Sequence, residues 1–184
     1  ASAAFALGCK PEDVFVASTG VTGQPLPVEL IKAGIRQVAL STEGGHELAR
    51  AIMTTDTVPK ETAVVVRAGD TEFTIGGIAK GSGMIHPNMA TMFGFLTTDA
   101  AVELAFLRSV LRRVADVSFN MISVDGDTSP SDTVLLMANG LAKNKVISVD
   151  SPLAEVFERA LTQVCLYLAK AIARDGEGAT RLIE

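Results

Sequence analysis

With 184 residues, 48% of them apolar and 20% charged, the chain is long enough for one ordinary domain with a single core and too apolar for a disordered segment. A formal net charge of −5 without a run of lysines or arginines gives a nucleic-acid partner little electrostatic basis, and no apolar stretch reaches the ~18 residues of a membrane span. Cys9 and Cys165 stand outside any CxxC pair, which suits a reducing compartment such as the cytoplasm and argues against a disulfide framework or a zinc site.

In chain order, residues 1–7 form an alanine-rich helical pattern. Residues 14–17 are a short apolar run stopping at Ser18-Thr19-Gly20, which predicts a strand entering a loop. Pro25 and Pro27 set up a helix near residues 28–32, ended by Gly34, and a second helix covers 45–53. The β-rich runs 63–67 and 73–79 flank Gly69-Asp70, a hairpin signal. A loop with Gly81, Gly83 and Pro87 leads to a strand-like run at 91–97. Leu104, Leu107, Val110, Leu111 and Val114 recur at helical spacing, which predicts a helix over 103–117. Residues 121–124 read as a strand before Asp125-Gly126-Asp127. The longest helix follows, with Ser151 as N-cap, Pro152 at its first position, and a core face of Leu153, Val156, Phe157, Ala160, Leu161, Val164, Leu168 and Ile172. Asp175-Gly176-Glu177-Gly178 ends it, and 179–184 alternate like a strand. Strands in pairs and helices in pairs, without regular βαβ alternation, predict α+β layers in a single domain. Both ends read as internal to a longer chain.

The segment from Lys80 to Thr91, Lys-Gly-Ser-Gly-Met-Ile-His-Pro-Asn-Met-Ala-Thr, is where chemistry is most expected. β-rich runs hold both its ends, and the small Ala90 leaves its carbonyl open to the next residue's hydroxyl. Attack by Thr91 Oγ on that carbonyl would give an ester by an N→O acyl shift, and hydrolysis would free a new N-terminus at Thr91. A free α-amine, with a reference pKa of about 7.7–8.0, can then take the hydroxyl proton. From composition alone such a loop is most often a plain connection between strands. The order argues against a phosphate loop, since the lysine precedes the glycines and no GxxxxGK[ST] occurs.

That segment closely resembles the self-cleavage motif of the ornithine acetyltransferases, the glutamate N-acetyltransferases of arginine biosynthesis. The resemblance extends, in the family's order, to Ala17-Ser-Thr-Gly-Val21, Ala51-Ile-Met-Thr-Thr-Asp-Thr57, Ile75-Gly-Gly-Ile-Ala79, Val124-Asp-Gly-Asp-Thr128 and Arg174-Asp-Gly-Glu-Gly-Ala-Thr180. It implies a layered α/β/β/α sandwich of the self-cleaving N-terminal-nucleophile type, with the nucleophile at the start of a strand. Thr91 would be the nucleophile, Ala90 the last residue of the N-terminal fragment, and Thr19 and Gly20 the oxyanion hole. Thr54, Lys80, Thr91 and Glu177 would contact substrate: Lys80 as a point charge for a carboxylate, Glu177 for an ammonium group. The implied reaction moves acetyl from N-acetylornithine to glutamate by a ping-pong route, in some members also from acetyl-CoA, with no cofactor or metal. The implied partners are the two cleaved fragments, paired within a larger assembly, in a bacterial cytoplasm or a fungal mitochondrial matrix.

Read without that resemblance, Ser18-Thr19-Gly20 is a turn, Lys80 a loop lysine, Thr54 a helix-terminal threonine and Glu177 a turn carboxylate. His86 reads as a loop histidine. Asp125, Asp127 and Asp132 lack EF-hand spacing and read as turn and capping carboxylates that support the site. Cys165 falls on the core face of the long helix, and Cys9 has no adjacent base. The chain departs from the family pattern at Ser129-Pro130-Ser131-Asp132, where Ser-Thr-Asn-Asp is expected, and at Phe93, where leucine is usual. Two rival functions are an aminopeptidase or amidase using the same Thr91, and a non-catalytic binding domain with the Ala90–Thr91 bond intact.

Overall fold

The computed structural model describes every residue except 22, 87–90 and 130. The chain forms two compact units, Ala1–Gly44 and Gly45–Glu184. The first contains α1 (Ser2–Leu7), a 3₁₀ turn at Pro11–Asp13 and α2 (Val28–Ile35). α1 stops at Gly8, whose φ of +68° is the left-handed cap that lets Cys9 N–H reach back to the Ala4 carbonyl. α2 runs through Gly34 to Ile35 and so overruns the expected stop. The run at 14–17 is not a strand. Val14 has extended dihedrals, yet no described residue pairs with the run, and Phe15 and Val16 are 76% and 84% exposed. Extended dihedrals are a local preference, whereas a strand exists only when a neighbour completes its ladder.

The second unit is a four-stranded sheet in the order β1-β2-β3-β4, with helices on one face. α3 (Gly44–Ala51) precedes it. β1 (Lys60–Ala68) and β2 (Thr71–Lys80) form the expected hairpin, closed by Gly69-Asp70 with Gly69 at φ +59°. β3 (Phe93–Thr98) runs antiparallel to β2, and β4 (Thr133–Ala138) parallel to β3. β4 has no counterpart in the sequence reading. Residues 121–124, read there as a strand, instead leave a 3₁₀ turn (Phe119–Met121) and make one backbone bond into the sheet-end loop, Val124 N–H to the Ile85 carbonyl at 2.9 Å. The strand-like run 179–184 also joins no ladder.

Alternation along the strands sorts the sheet into two faces. Val66, Phe73, Ile75, Gly77, Leu96 and Leu136 face α4 (Leu104–Asp116) and α5 (Ala154–Arg174), and together they form the core. α5 starts three residues after Ser151, whose hydroxyl accepts Leu153 N–H in the preceding turn at 3.2 Å. Its buried face, from Phe157 through Leu161, Val164 and Leu168 to Ile172, is the one its spacing predicts, with Cys165 on it. Burial pushes the Cys165 thiol up to about 12, so it stays a packed, protonated group. Gly77 lets α5 sit close to β2: a Cβ there would lie 2.6 Å from Leu96 Cδ2 and 2.9 Å from Leu168 Cδ1. On the other face Val65 and Met137 are exposed and Ile78, Phe95 and Leu135 half-buried. The class is therefore mixed α+β, and the sheet of the second unit carries one helical layer, α4 with α5. No helix among them is long and apolar enough to cross a membrane.

Candidate active site

The site is built where β2 ends. Gly81, at φ +143°, turns the chain so tightly that a Cβ on it would lie 3.2 Å from the Thr91 carbonyl oxygen. Met84 follows with φ +57°, a conformation a non-glycine residue holds only when tied down, and two bonds tie it. Its N–H donates to Asp125 Oδ2 at 2.5 Å, and its carbonyl accepts Thr91 N–H at 2.8 Å. Asp125 Oδ1 also accepts Ile85 N–H at 3.0 Å and Asp127 N–H at 3.1 Å. Burial would raise the Asp125 carboxyl, but these backbone donors outweigh it and hold it below the ordinary value. Asp125 is thus the loop-capping carboxylate that the sequence suggested.

Thr91 stands two residues before β3. Its Oγ1 is buried and has no hydrogen-bond partner, the sole such side-chain atom among the described residues. The next residue is pinned from β4's side, with Met92 N–H donating to Asp132 Oδ1 at 3.0 Å. Partial withdrawal from water raises the Asp132 carboxyl to about 6, against the Met92 N–H and the charge of Lys80, which both lower it. Asp132 keeps contact with solvent as a residue, so its charge is screened. Ala90 and Pro87, and with Ala90 the bond expected to be cut, lie outside the described residues, as does Pro130.

Lys80 is 3% exposed and makes no salt bridge to a described residue; its ammonium lies 5.9 Å from the centre of the Phe93 ring. Burial lowers its pKa, opposed by Asp56, Asp132 and Glu177, while Lys60 adds to the lowering. Glu177 is exposed, and its carboxylate lies against the Gly83 Cα: a Cβ there would be 2.6 Å from Glu177 Cδ. The Glu177 N–H also donates to the Ser82 carbonyl at 2.6 Å, so the turn after α5 is bound to the loop. Thr54 is exposed, with its N–H on Asp56 Oδ2 at 3.1 Å. Lys80, Thr91 and Glu177 therefore all border the 81–84 turn, and Thr54 is linked to it through Asp56, whose Oδ1 accepts Gly81 N–H at 2.7 Å. Thr19 and Gly20 belong to the first unit. Thr19 is half-buried, Gly20 exposed, and neither N–H has a bonded acceptor among the described residues. His86 is exposed, as a loop histidine would be. Among the described residues no group of three His, Cys, Asp or Glu side chains could hold a metal ion.

One part of this arrangement had no role in the sequence reading. Lys60, at the start of β1, is buried with Asp56 and Asp175, its ammonium 2.6 Å from a carboxylate oxygen of each. The i,i+4 spacing of Asp56 and Lys60 was visible, but nothing local says that the pair is buried or that Asp175, far along the chain, completes it.

A model of the ArgJ family matches residues 1–184. The chain belongs to the ArgJ family. The arginine biosynthesis bifunctional protein ArgJ of Symbiobacterium thermophilum is 60% identical over 184 residues, covering 99% of this chain and 46% of its own. The ArgJ protein of Bacillus subtilis strain 168 is 55% identical over 183 residues, covering 100% of this chain and 45% of its own. A crystal structure of the Bacillus halodurans ArgJ protein is 45% identical, with a TM-score of 0.45 over 48% of this chain and 41% of that one. The chain spans about half the length of the curated ArgJ relatives it matches. The relatives named are bacterial, so the mitochondrial alternative finds no support among them.

Proposed function

We propose that the protein is a self-cleaving acetyltransferase of arginine biosynthesis, in which Thr91 is the nucleophile. The observation that carries this reading is the buried Thr91 Oγ1, which has no hydrogen-bond partner among the described residues. A buried hydroxyl without a partner is costly and rare in a folded protein, and such exceptions call for a functional explanation. Here the hydroxyl adjoins the bond it would cut and sits in a loop clamped on both sides of Thr91 by Asp125 and Asp132.

In the cleavage step Thr91 Oγ adds to the Ala90 carbonyl carbon, the C–N bond breaks, and the nitrogen takes the hydroxyl proton. Water then hydrolyses the ester, leaving an Ala90 carboxylate and a free Thr91 amine. The Met84 carbonyl that accepts the Thr91 N–H at 2.8 Å can hold that nitrogen beside its own hydroxyl. In transfer, Oγ attacks the acetyl carbonyl of N-acetylornithine, the amine relays the hydroxyl proton to the departing ornithine nitrogen, and acetyl-Thr91 forms. The amine of glutamate then takes the acetyl group and restores the hydroxyl. Thr19 and Gly20, whose N–H groups have no bonded acceptor among the described residues, are the candidates for stabilising the oxyanion. Lys80, a buried cation without an ion pair among the described residues, suits a substrate carboxylate, and Glu177 an ammonium group. The half-apolar second face of the sheet suits packing against another sheet, the arrangement of an α/β/β/α sandwich.

Replacing Thr91 with Ala in the full-length protein tests the reading. Chain cleavage and acetyl exchange should both disappear, and Thr91→Ser should restore part of each. If Thr91→Ala keeps either activity, Thr91 is not the nucleophile. Release of free acetate without acetyl-glutamate would instead mark a hydrolase.

A further inference from the structure

We propose that the buried Asp56–Lys60–Asp175 triad is a positioning centre that holds the Thr54, Lys80 and Glu177 segments in one register. The proposal rests on the assignment of those three residues to substrate.

The triad's composition argues against a purely stabilising purpose. Lys60 is 1% exposed between two carboxylates, and the buried Lys80 nearby brings the group to two cations and two carboxylates. Burying such ions costs several kcal/mol each before their attraction is counted, and an apolar plug of equal volume commonly stabilises as well or better. Asp175 moreover caps the C-terminus of α5, the negative end of the helix dipole, where a carboxylate is disfavoured. Burial would raise both aspartates, yet Lys60 and the bonded N–H groups keep them below their ordinary values.

What an apolar plug cannot supply is a set of directed acceptors. Asp56 uses Oδ1 for Lys60 and for Gly81 N–H at 2.7 Å, and Oδ2 for Thr54 N–H at 3.1 Å. Asp175 accepts the Thr57 N–H at 2.9 Å and the Thr57 hydroxyl, which ties residues 54–57 to the end of α5. Two residues further, Glu177 N–H donates to the Ser82 carbonyl, and the Ser82 hydroxyl meets Thr55 Oγ1 at 2.7 Å. Three segments far apart in sequence, each bearing one expected substrate contact, thus converge on one buried lysine. Thr91 is held by a different set, Met84 with Asp125 and Met92 with Asp132. Loosening the triad should therefore weaken substrate binding more than the chemical step.

The test uses the full-length protein and two variants, Asp175→Asn and, should that one fail to fold, Asp56→Asn. Lys80→Met and Glu177→Gln serve as direct controls. In Asp175→Asn, KM for the amino-acid acceptor should rise about tenfold with kcat changed less than threefold. Amide hydrogen exchange should also speed up about tenfold at Gly81, a residue Asp175 does not touch. If the controls raise KM and a folded Asp175→Asn leaves both KM and Gly81 exchange unchanged, the triad is only structural and the proposal fails while the functional reading stands. If the controls leave KM unchanged, the substrate assignment fails, and Gly81 exchange alone then decides whether the triad holds the segments together. A variant in which exchange speeds only around Thr57 would also overturn the proposal.

Discussion

Gly83→Ala would set a methyl group against the Glu177 carboxylate. The added methyl would lie 2.6 Å from Glu177 Cδ and 2.8 Å from each carboxylate oxygen, whereas ordinary contact begins near 3.4 Å. The carboxylate must then retreat by about 0.8 Å or swing away. It is the end of a flexible, exposed side chain, so it can move without disturbing the core, and stability should change by less than about 0.5 kcal/mol. Binding should respond much more. A charge-assisted contact is worth about 1.5–3 kcal/mol, and displacing it by most of an ångström should forfeit much of that, about tenfold to a hundredfold in KM. Steady-state kinetics with varied amino-acid substrate, beside a thermal melt, measure both quantities. Glu177→Gln should raise KM comparably, and the double variant should add little to either single one, because both act on the same group. Unchanged KM in Gly83→Ala, with KM raised in Glu177→Gln, would show that the carboxylate works from a position other than the one against the loop.

Other perturbations give contrasting outcomes. Gly77→Ala meets Leu96 and Leu168, which are fully buried and cannot swing away, so it should cost about 1–3 kcal/mol and lower Tm by about 2–4 °C per kcal/mol, read by a thermal melt. Asp56 and Asp175, both depressed, contribute stability present above about pH 4 and lost as pH falls through their folded pKa values, so Asp56→Asn should flatten the acid limb of a urea-midpoint profile. Asp132 acts in the opposite sense: its carboxyl, raised to about 6, binds a proton more tightly folded than unfolded, so stability is lost as pH rises from about 4 through 6, and Asp132→Asn should remove that decline. Cys165, buried and raised to about 12, should resist alkylation at pH 8 until the protein unfolds.

Elements that the sequence determines by itself are those whose signal is local. α4 and α5 follow from apolar residues repeating at helical spacing, since a helix satisfies its own backbone bonds and exposes one stripe to be buried. The β1–β2 hairpin follows from Gly69-Asp70 between β-rich runs, because the turn itself sets the register. The family resemblance pointed to residues 80–91, and within them Met84 takes a positive φ held by a bond to Asp125.

Only the tertiary structure decided what depends on a distant partner. Residues 14–17 and 121–124 carry strand-like composition but find no ladder, while 133–138 become β4 by pairing with β3 across the 34 residues between them. The buried state of Lys60 is likewise invisible locally, because the sequence shows a lysine four residues after an aspartate, and an exposed pair of that spacing is common. Asp175 converts it into a buried triad by arriving from the far end of α5. Strand pairing and charge burial are settled by which segments meet, and that meeting is a property of the packed chain as a whole.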